Sequence, residues 1–187
     1  MPVVDLAPVG ILLANVGLWT VAHASSAYAA HKLPLSRLDR DGWWLRLRPR
    51  ERSGWAYERV LHIRRWKDRL PEAGALFAGG MSKRTLPGPG DGGVERFLQE
   101  TRRGELAHWM SLVPLPAFAI WNPPAGVALM ALYGLAVNLP FIAVQRYNRG
   151  RAQRVTALRS ARSDRSRRSR RARRAAGASR TSGSSMP

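Results

Sequence analysis

A chain of 187 residues is long enough for one domain, and its 45% hydrophobic content coexists with a formal net charge of +19. The absence of cysteine excludes a disulfide framework, a thiolate metal site and a cysteine nucleophile, leaving His, Asp, Glu, Ser and Thr to carry chemistry. Apolar residues gather in 9–30 and 106–144 and basic ones in the middle and at the C-terminus, a segregation that points to a membrane protein with basic water-facing parts.

Residues 8–30 carry no Lys, Arg, Asp or Glu, and about 22 residues suffice to cross a hydrocarbon core about 30 Å thick. This segment reads as a first transmembrane helix. Ala27-Tyr28-Ala29 has the small-x-small form of a signal cleavage site, but the leader Met1-Pro2-Val3-Val4-Asp5 has no positive side chain, which favours a retained anchor. Residues 31–104 are polar and basic, with a short apolar alternation at Trp43–Leu47 that Pro49 closes. Ala56, Val60, Ile63, Trp66 and Leu70 fall on one helical face, predicting an amphipathic helix over 54–70 that Pro71 stops. Flanking arginines and Trp55, Tyr57 and Trp66 suit the headgroup layer, although an ordinary helix packed on protein has the same pattern. The Gly- and Pro-rich stretch 86–93 reads as a loop.

Helical periodicity resumes at Val94, with Phe97, Leu98, Thr101, Glu105 and His108 on one side. The pattern predicts a helix over 94–121, although the apolar run 106–121 is short for a full span and Pro114 and Pro116 bend it, so this arm is also readable as re-entrant. Asn122-Pro123-Pro124 is a turn, and a second long apolar helix follows over 125–146. The two form a hairpin. Both the middle region and the tail from Arg146 on, with fourteen arginines against Asp164 alone, belong in the cytoplasm by charge, giving an outside N-terminus and three spans.

The expected fold class is therefore an all-α membrane protein, multi-pass in the cell membrane. Residues 1–154 form its domain: an N-terminal transmembrane helix, a basic cytoplasmic amphipathic region and a C-terminal transmembrane helical hairpin. Residues 155–187 form an arginine/serine-rich tail too poor in large apolar residues to bury a core, and so expected to be disordered. Its basic run, 165–174, is readable as a nucleic-acid site or as a polybasic segment attracted to anionic lipid; lacking aromatics to stack on bases, it fits lipid better.

Three segments resemble the glycosyl-4,4'-diaponeurosporenoate acyltransferase family, the membrane enzymes that finish staphyloxanthin-type carotenoid glycolipids. They are Arg64-Arg65-Trp66-Lys67-Asp68, the run from Glu100 to Trp109 (Glu-Thr-Arg-Arg-Gly-Glu-Leu-Ala-His-Trp), and Asn138-Leu139-Pro140 running into Gln145–Arg151. The resemblance implies an enzyme that esterifies a sugar hydroxyl of a glycosylated carotenoid, or a similar glycolipid acceptor, with a fatty acyl group. Its partners would be membrane lipids, that acceptor and an acyl donor, taken to be a fatty acyl thioester; no cofactor is implied.

Acyl transfer to an alcohol needs a base for the hydroxyl proton and a donor to the developing oxyanion. Among four histidines, His108 lies in a matched segment, and Glu105, three residues earlier on the same helix, is placed to hold its imidazole in one tautomer. These two are the catalytic candidates. Glu-x-x-His is also a helical metal-ligand spacing, but one copy does not make a site and no metal is expected. Lys67, Arg103, Arg146 and Arg149 are candidate cations for donor phosphates or lipid headgroups, and Asn138, polar within a span, a candidate substrate contact. The rival reading is a non-enzymatic membrane adaptor that binds anionic lipid or partner proteins through its basic regions. A buried Glu105–His108 pair is costly in a membrane and has no use in an adaptor.

Overall fold

The computed structural model describes residues 2–71, 85–88 and 92–182, with side chains described through residue 169. The described residues contain helices and turns and no strand. Four α-helices follow in order: α1 (Pro8–Lys32), α2 (Trp55–Leu61), α3 (Gly93–Ser111) and α4 (Pro124–Ser182). The chain divides into two units, Met1–Ala152 and Gln153–Pro187. Two helices among the described residues, α1 and α4, are long and apolar enough to cross a membrane.

Within the first unit, α3 and a following 3-10 segment, Leu115–Ile120, run back alongside α1. At one end the Arg103 guanidinium bonds the carbonyl of Leu33; at the other the amides of Val3 and Val4 each bond the carbonyl of Ile120 at 2.8 Å. The starts of α1 and α4 therefore share one end of the unit. Val9, Leu12, Leu13 and Val16 on α1 and Leu129 and Leu132 on α4 are exposed, faces that suit lipid. In such a solvent, apolar area does not drive helices together, and close fit and hydrogen bonds select the packing. Trp19 of α1 lies against Gly134 of α4 so tightly that an added Cβ there would come within 2.4 Å of the indole. Trp19 also packs on Phe118, ring centroids 5.1 Å apart, and Asn15 is bonded by both Trp121 and Asn122.

Several expectations need correction. The helix expected over 54–70 ends at Leu61: His62 takes the left-handed conformation (φ 47°), the Trp66 indole N–H bonds the Leu61 carbonyl, and short 3-10 turns follow. The reversal drives Ile63 into the core and leaves Val60 exposed, so the apolar stripe is divided. The helix expected over 94–121 stops at Ser111, because Pro114 and Pro116 cannot donate to a continuing α-ladder. This arm carries buried Glu100, Arg102 and Glu105 and is broken at the prolines, so it is not one continuous apolar helix, and among the described residues two helices rather than the expected three are long and apolar enough to span. Finally, α4 runs past the end expected near 146, through Ser182. Ala and Arg are good helix formers, and a helix already nucleated extends without needing a core; side chains 156–169 are all exposed. Residues 89–91 of the expected loop and 183–187 of the tail lie outside the described residues.

Candidate functional site

Below the apolar layer, a network of buried ions ties α3, α4 and the segment before α2 together. Glu105 is fully buried, and its two oxygens accept from Arg146 and Arg149, each at 2.6 Å; the Trp109 indole adds a third bond at 3.3 Å. Arg146 also forks onto Glu51, with its Nε at 3.0 Å and Nη2 at 2.7 Å. The same two arginines hold backbone: Arg149 bonds the carbonyl of Leu45 and Arg146 that of Arg46. Those contacts fix segment 43–47 with Leu45 and Leu47 inward and Trp44 and Arg46 outward, the alternation seen in the sequence realised without a strand. Arg102 completes the network on Asp41 at 2.7 Å.

Glu51 anchors a turn through its carboxylate, which also accepts from the Arg48 amide and the Tyr57 hydroxyl. Burial alone would raise its pKa, but the bonds from Arg146, Tyr57 and the Arg48 amide outweigh it and hold the carboxyl at about 2 against an ordinary 4.5. Tyr57 is pushed up from its usual value, by burial first and by its bond to Glu51 second. The turn lies directly on α4: at Gly150 an added Cβ would come within 2.4 Å of the Glu51 carbonyl oxygen.

Above this network opens a groove of about 1340 Å³. One wall is the apolar face of α4, including Leu132, Leu135 and Leu139; another is aromatic, with Trp44 stacked between Trp43 (4.4 Å) and Trp109 (6.2 Å). Its polar end is formed by Glu51, Tyr57 and Arg146 with Arg46, Arg48 and Arg52. An apolar trough that ends in arginines suits a lipid chain with a polar or anionic end.

His108 and Asn138 occupy the junction of α1, α3 and α4. The ring of His108 stacks on Phe141, and its Nδ1 lies 2.9 Å from the Oδ1 of Asn138. The Asn138 amide nitrogen donates to the Gly134 carbonyl at 2.9 Å, which fixes the amide orientation, so its oxygen faces the imidazole and Nδ1 must be the donor. In the neutral ring the lone pair then sits on Nε2. Asn138 Oδ1 also accepts from the Ser111 hydroxyl at 2.8 Å.

Of the sequence-derived site residues, the structure joins Glu105, Arg146 and Arg149 in one cluster and His108 and Asn138 in another. The His108 imidazole meets Asn138, while the two Glu105 oxygens accept from Arg146 and Arg149. Arg103 pairs with Glu100 at 2.7 Å, and Lys67 bonds its neighbour Asp68 at 2.5 Å. Arg146 lines the groove; His108 is not among its walls. Asp41, Glu51 and the aromatic wall were missed. A usable signal existed for the acids, since a chain with 12 acidic residues against 31 basic ones has reason to spend each acid on a buried arginine.

The first unit thus combines a groove of apolar and aromatic walls over a charged base with helices long and apolar enough to cross a membrane, as a membrane protein would have. A family model described as glycosyl-4,4'-diaponeurosporenoate acyltransferase matches residues 41–158, and the chain belongs to that family. It is accordingly an acyltransferase, which sets aside the adaptor reading. The protein of the same name from Staphylococcus haemolyticus (strain JCSC1435) is 28% identical over 147 residues, covering 79% of this chain and 85% of the relative. That from Staphylococcus aureus (strain USA300) is 31% identical over 101 residues, covering 54% of this chain and 61% of the relative. No solved structure matches the chain. The matched region takes in the ion network, the His108–Asn138 pair and the groove, and leaves out all of α1 and most of the tail.

Proposed function

We propose that the protein esterifies a sugar hydroxyl of a glycosylated carotenoid, or a similar glycolipid, with a fatty acyl group, as in staphyloxanthin-type carotenoid biosynthesis. The observation that carries this reading is the groove, whose apolar and aromatic walls end in a cationic base, in a chain of an acyltransferase family. The hydroxyl oxygen attacks the thioester carbonyl, the C–O bond forms, the C–S bond breaks, and the hydroxyl proton leaves with the thiol. His108 is the proton carrier: with Nδ1–H held by Asn138, Nε2 takes the proton from the hydroxyl and returns it to the leaving sulfur. The residues beside this pair in sequence, Trp109 and Leu139, form groove wall, so the reacting hydroxyl reaches His108 by passing between α3 and α4 there. Arg146 and Glu105 shape the polar end, Arg146 from the wall and Glu105 from behind it. By charge, residues 31–104 and the tail face the cytoplasm.

The test is reconstitution of the full chain in nanodiscs with a glucosylated carotenoid carboxylate and palmitoyl coenzyme A, followed by mass spectrometry. A product heavier than the acceptor by one palmitoyl group, formed by the wild type and lost in His108→Ala, supports the reading. Release of coenzyme A without an acylated glycolipid contradicts it.

A further inference from the structure

The cations chosen from sequence for phosphate binding are largely occupied: Arg103 by Glu100, Arg146 by Glu51 and Glu105, Arg149 by Glu105. The groove has others. Arg46, Arg48 and Arg52 line it, all three exposed, and among the described residues none of their guanidinium groups has a hydrogen bond or ion pair. The groove wall holds four arginines against one glutamate, and that glutamate has no capacity to spare. A carboxylate offers about four lone-pair sites, and those of Glu51 meet Arg146 twice, Tyr57 and the Arg48 amide. Excess positive charge therefore stays on one rim. Arg48 and Arg52 sit on a turn closed by the Glu51 amide on the Arg48 carbonyl at 2.9 Å and seated on Gly150, and Arg146 holds the Arg46 carbonyl, so the backbone of all three is fixed before any ligand arrives.

We infer that Arg46, Arg48 and Arg52 form a phosphate site, which holds the phosphate end of a fatty acyl donor while its chain lies in the trough against Leu132, Leu135 and Leu139. Guanidinium forks match phosphate oxygens in pairs, and the apolar wall beside them accepts the chain attached to that phosphate. The inference rests on the acyltransferase reading for the word donor. The same chemistry has two sources, a soluble acyl thioester such as palmitoyl coenzyme A and the headgroup of an anionic phospholipid.

Trp43, Trp44, Trp66 and Trp109 line the groove, so tryptophan fluorescence reports occupancy without catalysis. The full chain in phosphatidylcholine nanodiscs is titrated with palmitoyl coenzyme A, and separately given increasing phosphatidylglycerol. The wild type is compared with the triple variant Arg46→Gln, Arg48→Gln, Arg52→Gln and with a control, Arg40→Gln with Arg50→Gln, whose arginines are exposed but outside the groove wall. The triple variant should weaken the response by at least about thirtyfold, the control by less than about threefold, and raised salt should weaken only the wild type and the control. Loss confined to palmitoyl coenzyme A assigns the phosphate to the soluble donor; loss confined to phosphatidylglycerol assigns it to the headgroup. Equal responses in triple variant and control, or an equal loss for a palmitoyl thioester of N-acetylcysteamine, which has no phosphate, overturns the site. If binding behaves as expected but the wild type forms no acyl ester from any glycolipid, the acyltransferase reading of the groove fails while the phosphate site stands.

Discussion

Replacing Asn138 by Leu separates the two clusters of the site. Leu keeps the same branched arrangement of side-chain heavy atoms and suits a membrane helix, but removes the oxygen that holds His108 Nδ1 at 2.9 Å. The structural losses are small. Ser111 keeps its bond to the His108 carbonyl at 2.8 Å, the Gly134 carbonyl stays in the helix ladder and His23 Nε2 loses a long contact at 3.5 Å, so the main group left without this partner is the imidazole N–H. That orphan and the lost interhelical bond together cost about 1–3 kcal/mol, which a folded membrane domain tolerates. The catalytic loss is larger, because the ring is free to rotate and to carry its proton on Nε2; turnover should fall about 10- to 10³-fold, part of the 10²- to 10⁴-fold worth of a general base. Asn138→Asp, which keeps acceptor oxygens toward the ring, should recover part of the rate. Glu105→Gln should behave in the opposite way. It leaves two buried guanidinium groups short of a charge, at about 3–5 kcal/mol, and so should reduce abundance in the membrane while the surviving molecules keep most of their specific activity. The assay is acyl ester formed per molecule, normalised by quantitative blotting. If Asn138→Leu keeps more than about a third of normal turnover at normal abundance, or Glu105→Gln loses specific activity at normal abundance, the roles assigned to the two residues are wrong.

Gly150→Ala places a Cβ within 2.4 Å of the Glu51 carbonyl, and backbone cannot yield there cheaply, so thermal stability in detergent should drop by about 1–3 kcal/mol; an unchanged melting temperature would contradict the packing. The Glu51 carboxyl is depressed to about 2 from 4.5, so its stabilising contribution is present above pH 4.5 and lost as pH falls towards 2. Glu51→Gln should therefore melt lower at neutral pH and lose less on acidification through that window, whereas parallel pH profiles would show that the carboxylate is not held as described. With the amides of Val3 and Val4 on the Ile120 carbonyl, cysteines introduced at Val3 and Ala125 should label with an impermeant reagent from one face of the membrane, and one at Gly42 from the other. Labelling of Ala125 and Gly42 from the same face would remove α3 and its 3-10 continuation as a membrane-traversing arm.

The two apolar helices were legible because their signal is local: residues 8–30 lack charge altogether, and the turn at Asn122–Pro124 opens the next run. The start of α3 was legible from its period, and its end was foreshadowed by Pro114. The break at His62 was not, since a positive φ at a histidine is set by where Ile63 and Trp66 find partners, which no propensity encodes. For the candidate site, it was the pairing of the side chains that helical spacing did not disclose. Glu105 and His108 share a helix face, and helical spacing suggested they hold each other; Arg146 and Arg149, about forty positions on, outcompete that contact for the carboxylate, and Asn138, thirty positions on, takes the imidazole. The groove arginines were invisible for a different reason. In a chain with 31 basic residues an unpaired arginine looks like any other until the acids near it are shown to be fully used.

The central claim, that this groove acylates a glycolipid through His108, is tested most directly by mass spectrometry of lipids from cells that make a glucosylated carotenoid carboxylate. Three strains suffice: one without the gene, one with it, and one with His108→Ala at matched membrane abundance. The account predicts a carotenoid glycoside heavier by one fatty acyl group, fragmenting to an acylated hexose, in the second strain alone. An acylated product of equal yield in the His108→Ala strain would contradict the mechanism, and its absence from the wild-type strain, with both substrates present and the protein in the membrane, would contradict the function.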